Sequence, residues 1–240
     1  MSETLSSIVR SDDRFAATAS LHVEVIADFV CPFCFLGKRR FDAALKAVRG
    51  PTDVHWYPFQ LNPEMPAEGL SFDEYLTRRF GSPENVAPAL THLADEGKAA
   101  GIDFRFDQIS HVPNTLPVHQ FMYFAESRQI DQSALADHLL SAFFEQGRNI
   151  GDQDVLIEIG ETHGITADDV REALANDQNR QIVLSREREV RGSGIAGVPG
   201  FLLNRRVLVV GAQSSDTLVN AFDQAMFGEG NDSLVSPALH

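Results

Sequence analysis

Residues 21–50 read LHVEVIADFVCPFCFLGKRRFDAALKAVRG, and the reading of this stretch decides the fold. From Leu21 to Phe29 apolar and polar residues alternate through Ala27, the period of a strand with one face buried. After Cys31-Pro32-Phe33-Cys34 the period lengthens: Phe35, Phe41, Leu45 and Val48 recur at helical spacing, and Gly50-Pro51 supplies the stop. A second strand is expected at about Val54 to Phe59. The opening unit is therefore βαβ, which implies parallel strands joined by a right-handed crossover. It carries two cysteines at the junction of strand and helix.

Outward from this unit, Leu61 to Leu70 (LNPEMPAEGL) is turn-rich and marks a boundary. From Ser71 to about Arg191 the pattern is helical: Phe72–Phe80, Glu84–Ala100, Leu116–Arg128, Ser133–Gln146, Asp154–His163, Ala167–Asn176 and Asn179–Arg191. Ser71, Asp131 and Thr166 are legible as caps ahead of three of these helices. Strand character returns at Val198–Leu203 and Val207–Val210, joined by Asn204-Arg205-Arg206 as a short hairpin connection, and a last helix is expected at Ser215–Phe227. The order βα, β, helices, ββα predicts an α/β protein: a small mixed sheet built from 21–70 and 192–227, interrupted by an all-helical insertion at 71–191. Segments 1–20 and 228–240, the latter polar, small and proline-containing, read as flexible termini.

The chain has 240 residues, 43% apolar and 22% charged, which is ordinary globular usage and excludes disorder, collagen or a coiled coil. Twenty Lys and Arg against 34 Asp and Glu give a formal charge of −14. Such a field disfavours nucleic acid and anionic membranes as partners. No run of about 18 apolar residues occurs. Residues 1–20 contain no continuous apolar region of the kind a secretion signal needs, so a cytoplasmic location is expected.

Cys31 and Cys34 are the only cysteines, so any disulfide is local. A Cys-x-x-Cys pair between a strand and a helix is the arrangement of a dithiol redox site. Only a thiolate attacks a disulfide, and bringing a free thiol from pKa about 8.5 to about 7 requires roughly 2 kcal/mol. A helix N-terminus supplies on the order of 0.3 to 2 kcal/mol of this through its dipole and free N–H groups. Position therefore makes Cys31, one place outside the helix, the nucleophile and Cys34, one turn inside, the resolving thiol. Pro32 suits the first turn, where its missing N–H has no partner to lose. Two competing readings are half a zinc site and a pair of inert buried cysteines. Against zinc, there is no second cysteine pair, and His111 and His119 lie too far apart for ligand spacing, so no metal is expected.

The blocks DFVCPFCFLGKRRF, WYPFQLNPEMP, PNTLPVHQF, FFEQGRNIGDQDVL and SGIAGVPGFLLNRRVLVVGAQ, spread from about residue 22 to 226, together resemble the DsbA-family thioredoxin-fold oxidoreductases of the FrnE type. The resemblance implies a thioredoxin fold split by the helical insertion. It also implies that Val198-Pro199 forms a cis-proline loop facing the cysteines, with Val198 and Pro199, beside Pro32 and Phe33, binding the substrate. Kappa-class glutathione transferases and 2-hydroxychromene-2-carboxylate isomerases are similar in layout but place serine where Cys31 stands, so both cysteines here favour dithiol chemistry. No cofactor is required on this reading; glutathione enters as a co-substrate.

Several residues carry competing readings. Asp28, three before Cys31, either relays the Cys34 proton or caps a neighbouring helix, and its charge would oppose ionisation of a nearby thiol. Asn114-Thr115 and His119 either line the cleft from the helical insertion or form a helix start, with Asn114 as cap and Pro117 in the first turn. Trp56, Phe59 and Leu61 read as core and cleft wall. Residues 192–197 spell GxGxxG, but a helix precedes them and a strand follows, the reverse of the dinucleotide-binding order.

The leading expectation is a thiol–disulfide oxidoreductase acting on a disulfide-containing protein or a small thiol or disulfide, as monomer or homodimer. The alternatives are a glutathione-dependent isomerase or transferase of a small aromatic compound, and a chaperone-like peptide-binding module.

Overall fold

The computed structural model describes residues 20–228 and 233–235. The expectation of a flexible segment at 1–19, and that for 229–232 and 236–240, lies outside the described residues.

A five-stranded mixed sheet has the order β2-β1-β5-β6-β7, formed by β1 (Leu21–Ala27), β2 (Thr52–Pro58), β5 (Gly200–Leu203), β6 (Val207–Val210) and β7 (Ser233–Val235). β1 and β2 pair in parallel from Leu21 opposite Thr52 to Ala27 opposite Pro58, as the βαβ reading requires. β5 returns antiparallel to β1, and β6 antiparallel to β5. Asn204 and Arg205 both take positive φ (48° and 54°), the geometry of a two-residue hairpin turn whose twist matches its strands. The Arg206 N–H closes this turn on the Leu203 carbonyl at 2.9 Å.

Nine α-helices occur among the described residues: α1 (Pro32–Leu45), α2 (Phe72–Phe80), α3 (Pro83–Ala99), α4 (Leu116–Ser127), α5 (Gln132–Phe144), α6 (Gln153–Thr162), α7 (Ala167–Ala175), α8 (Asp177–Gly192) and α9 (Ser215–Phe227). Side-chain caps fall where the sequence places them. Ser71 accepts the Glu74 N–H, Asp131 those of Ser133 and Ala134, and Thr166 forms a reciprocal capping box with Asp169. A helix also precedes the GxGxxG segment and a strand follows it, so no dinucleotide cradle is formed.

Three expectations are corrected. The insertion is not all helical: β3 (Leu70–Ser71) pairs antiparallel with β4 (His111–Val112), strands too short to show a period. The strand expected from Val198 begins at Gly200, because proline has no N–H to give a ladder. The tail is not wholly frayed, since Ser233–Val235 adds in parallel to the open edge of β6.

One continuous apolar core joins sheet and helices. Phe35 of α1 meets Phe104 edge-on at 5.9 Å and stacks near Phe144 at 6.2 Å, and Phe104 stacks on Phe106 at 5.0 Å. This aromatic group fastens the cysteine-bearing helix to the C-terminal end of α5.

Candidate active site

The chain leaves β1 at Ala27 and enters α1 at Pro32, so Asp28 to Cys31 form a short arc at the C-terminal edge of the sheet. Cys31 is the N-cap of α1, with extended φ and ψ of −97° and 112°, and Pro32 follows at the first helical position. The Cys34 N–H bonds the Cys31 carbonyl at 2.9 Å, which draws the two residues into one helical turn. Both cysteines are free thiols.

The two sulfurs meet different surroundings. Cys31 Sγ lies 3.9 Å from the carbonyl oxygen of Val198 and borders a large cavity. Cys34 points inward, 2% exposed, and its Sγ accepts the backbone N–H of Asp28 at 3.4 Å. Burial pushes the Cys34 thiol well above its usual value; the neighbouring Cys31 sulfur adds to this, and the Asp28 N–H opposes it. Cys34 is thus a protonated thiol at neutral pH.

The Val198–Pro199 peptide bond is cis. Pro199 rests on α1 at Gly37, where a Cβ would fall 2.7 Å from Pro199 Cγ, so only glycine admits this approach. The Gly211 N–H also bonds the Pro199 carbonyl at 2.7 Å, tying the loop to the end of β6. Gly37 is a site-shaping residue that sequence reading passed over, because one glycine inside a helix carries no signal of what packs on it.

A cavity of about 440 Å³ opens on Cys31. Cys31, Pro32, Phe33 and Val198 border it from the sheet half; Tyr75, Leu76, Arg79 and Phe80 of α2, Leu90 and Leu93 of α3, and Phe143 and Phe144 of α5 border it from the helical half. The walls are almost wholly apolar. Phe33 and Phe80 are 52% and 43% exposed, which gives the rim two open aromatic rings. Burial pushes the Tyr75 phenol up, so it remains a hydrogen-bond donor at neutral pH. None of Tyr75, Arg79 and Phe80 was singled out in the sequence, since an amphipathic helix shows which face is apolar but not what that face covers.

Of the residues with competing readings, Leu61 borders this cavity, and Asp28, Asn114, Thr115 and His119 do not. Asp28 is fully buried, and its carboxylate accepts the N–H groups of Phe29 (2.8 Å) and Leu61 (2.7 Å), fastening the end of β1 to the loop after β2. The carboxylate caps no helix and makes no hydrogen bond to either sulfur, which only the Asp28 backbone N–H reaches, at Cys34. His119 Nε2 stands 3.4 Å from Asp28 Oδ1 but off the angle of a hydrogen bond, so it has no partner. The His119 ring borders a small separate void with Phe29 and Trp56. Asn114 takes the Leu116 N–H and donates to the Met65 carbonyl, binding the start of α4 to the loop after β2, while Thr115 is the N-cap residue and makes no side-chain cap bond.

Residues 22–223 match the DsbA-like thioredoxin domain. The chain belongs to the DsbA-like thioredoxin family. It is 28% identical over 206 residues to the uncharacterized protein YwbO of Bacillus subtilis, covering 84% of this chain and 96% of that one. A crystal structure of a probable DsbA oxidoreductase from Streptomyces coelicolor superposes with TM-score 0.78 at 28% identity, covering 90% of this chain and 94% of the other. The cytosolic disulfide reductase DsbM of Pseudomonas aeruginosa, solved with GSH, shares the fold at 20% identity and TM-score 0.56, covering 85% and 95%. DsbA-like membership makes this an oxidoreductase or isomerase of the thioredoxin superfamily, with a thioredoxin fold carrying a helical insertion. No helix among the described residues is long and apolar enough to cross a membrane.

Proposed function

We propose that the chain is a thiol–disulfide oxidoreductase whose Cys31-Pro32-Phe33-Cys34 dithiol acts on apolar disulfides. The observation that carries this is the apolar cavity of about 440 Å³ ending at the Cys31 sulfur, with the resolving thiol buried behind it.

In the proposed cycle the Cys31 thiolate attacks one sulfur of a substrate disulfide. A Cys31–substrate disulfide forms, and the other substrate half leaves as a thiolate that takes a proton from solvent. Cys34 then loses its proton and attacks Cys31 Sγ, releasing the second substrate thiol and leaving a Cys31–Cys34 disulfide. Two electrons have passed from the protein to the substrate. The Asp28 N–H is placed to stabilise the Cys34 thiolate as it forms. Val198 presents backbone polar groups beside Cys31 for an extended substrate, and Phe33 and Phe80 offer aromatic surface at the rim. Two equivalents of a small thiol, glutathione on this proposal, restore the dithiol through a mixed disulfide. In a reducing cytoplasm, the location we propose, net flow then runs toward reduction.

The test is turnover of an aromatic disulfide and of a model protein disulfide with glutathione as donor. Wild type reduces both, Cys31→Ser reduces neither, and Cys34→Ser accumulates a mixed disulfide visible by intact mass. Activity that survives Cys31→Ser in the presence of glutathione would replace this reading with a glutathione-dependent isomerase or transferase. Suppression of aggregation indifferent to both substitutions, without turnover, would replace it with a peptide-binding module.

A further inference from the structure

At the end of β1 remote from the cysteines, the strand register assembles a second cluster of side chains. His22 stands opposite Asp53, and Glu24 opposite His55, on neighbouring parallel strands. Residues two apart share a face, so all four project to the same side. Asp53 Oδ2 sits between two imidazoles, 3.0 Å from His22 Nδ1 and 3.0 Å from His55 Nε2. We propose that His22, Asp53 and His55 form a binding site for a divalent late first-row metal ion, zinc foremost.

The donor set suits that ion. Two imidazole nitrogens and one carboxylate oxygen leave a fourth position for water, a common zinc arrangement. The three donor atoms lie within 4.8 Å of one another, and those of a tetrahedral zinc would be roughly 3.3 Å apart from bonds of about 2.0–2.1 Å. The 3.0 Å separations already approach that figure, so seating an ion asks for rotation of side chains rather than movement of strands. The face is reachable, with His22 and His55 about one-third exposed and Asp53 65% exposed.

An outer layer supports the assignment. Glu126 of α4 lies 3.2 Å from His55 Nδ1 and is placed to accept its proton, so that a metal ion would take only the Nε2 position, which in the metal-free protein donates to Asp53. This carboxylate–imidazole–metal order is the way ligating histidines are commonly held. Glu126 is itself paired with Arg186 of α8. Glu24, 3.7 Å from His22 Nε2 and paired with Arg205 at 3.0 Å, adds negative charge beside the site. The chain as a whole carries −14, a field that attracts cations. The site would clamp β1 to β2 on the order of 15 Å or more from the cysteines, since the five strand residues Val23 to Ala27, at about 3.3 Å each, lie between.

The test must silence the cysteines, because a thiolate is itself a zinc ligand. In a Cys31→Ser/Cys34→Ser full-length parent, titration with zinc chloride should show one saturable equivalent. Adding His22→Gln or His55→Gln should weaken it at least tenfold, and adding Glu126→Gln about tenfold. Cobalt in the same parent should give visible d–d bands that either histidine substitution alters. Circular dichroism of the metal-free variants should match the parent, because the substituted side chains are partly exposed. Absence of a one-equivalent site in the parent, or an affinity changed less than threefold by either histidine substitution, would overturn the proposal. Disulfide turnover by wild type is a separate readout, so the two proposals fail independently.

Discussion

The two ends of β1 hold their polar groups in opposite ways. At the cysteine end, Asp28 is fully buried, both its oxygens bond backbone N–H groups, and the neighbouring thiols face apolar walls. At the other end, Asp53 is 65% exposed and is shared by two histidines over open solvent. The first is a desolvated and rigid environment, where electrostatic effects on a thiol are large. The second is solvated, so its ion pairs contribute little to folding and its donors stay free to take up a solute. On the two proposals, the same strand serves covalent chemistry at one end and reversible binding at the other.

The largest effect expected from breaking this contrast comes from Asp28→Ala. It leaves the N–H groups of Phe29 and Leu61 buried without acceptors, and hydrogen bonds to a charged partner contribute about 1.5–3 kcal/mol each. Urea unfolding should show a loss of about 3 kcal/mol or more, with the m-value unchanged. Next comes Gly37→Ala, which places a methyl 2.7 Å from Pro199 Cγ and displaces the Val198 carbonyl from Cys31. A shift of about 1 Å in reacting geometry costs on the order of 100-fold. The expected outcome is a fall of about 10- to 100-fold in kcat/KM for disulfide reduction, with a near-native circular dichroism spectrum. Unchanged turnover would show that Gly37 has no part in holding the loop.

The cysteine end was legible in the sequence because its information is local. Strand period, Cys-x-x-Cys, Pro32 and the helical spacing after it occupy one short stretch, and their order alone places Cys31 at a helix start. The helices of the insertion were legible for the same reason, through caps such as Ser71, Asp131 and Thr166. What surrounds the cysteines was less so. Tyr75, Arg79 and Phe80 belong to an ordinary amphipathic helix, and only packing shows that its face walls the cavity. Asn114 and His119 border the loop after β2 and a separate void rather than the cleft, a distinction that rests on side-chain direction and not on spacing. His22 and Asp53 are 31 positions apart and meet only through register, so a search for closely spaced ligands passes over them.

At the solvated end, Asp53→Ala should cost no more than about 1 kcal/mol in metal-free urea unfolding. A much larger loss would contradict the contrast drawn between the two ends.

The smallest effect tests the contrast with a second histidine pair. His138 of α5 and His163, just after α6, have rings 5.5 Å apart, with Nδ1 of the first 3.3 Å from Nε2 of the second and no carboxylate between them. Burial pushes His138 down, and the neighbouring His163 and Arg148 push it further, only partly opposed by Asp137. A histidine depressed in the fold takes up its proton more readily when unfolded. Its contribution is therefore fully present above the ordinary value near 6.5 and is lost as pH falls through the folded pKa. Between pH 7.5 and 5.5 the wild-type Tm should fall slightly through this pair, by the equivalent of less than about 1 kcal/mol given its partial exposure. His138→Gln should remove that component and leave the remaining pH dependence unchanged. A variant that follows the wild-type curve at every pH would show that His138 and His163 do not repel in the folded protein, and the role of the intervening carboxylate at His22 and His55 would lose its comparison.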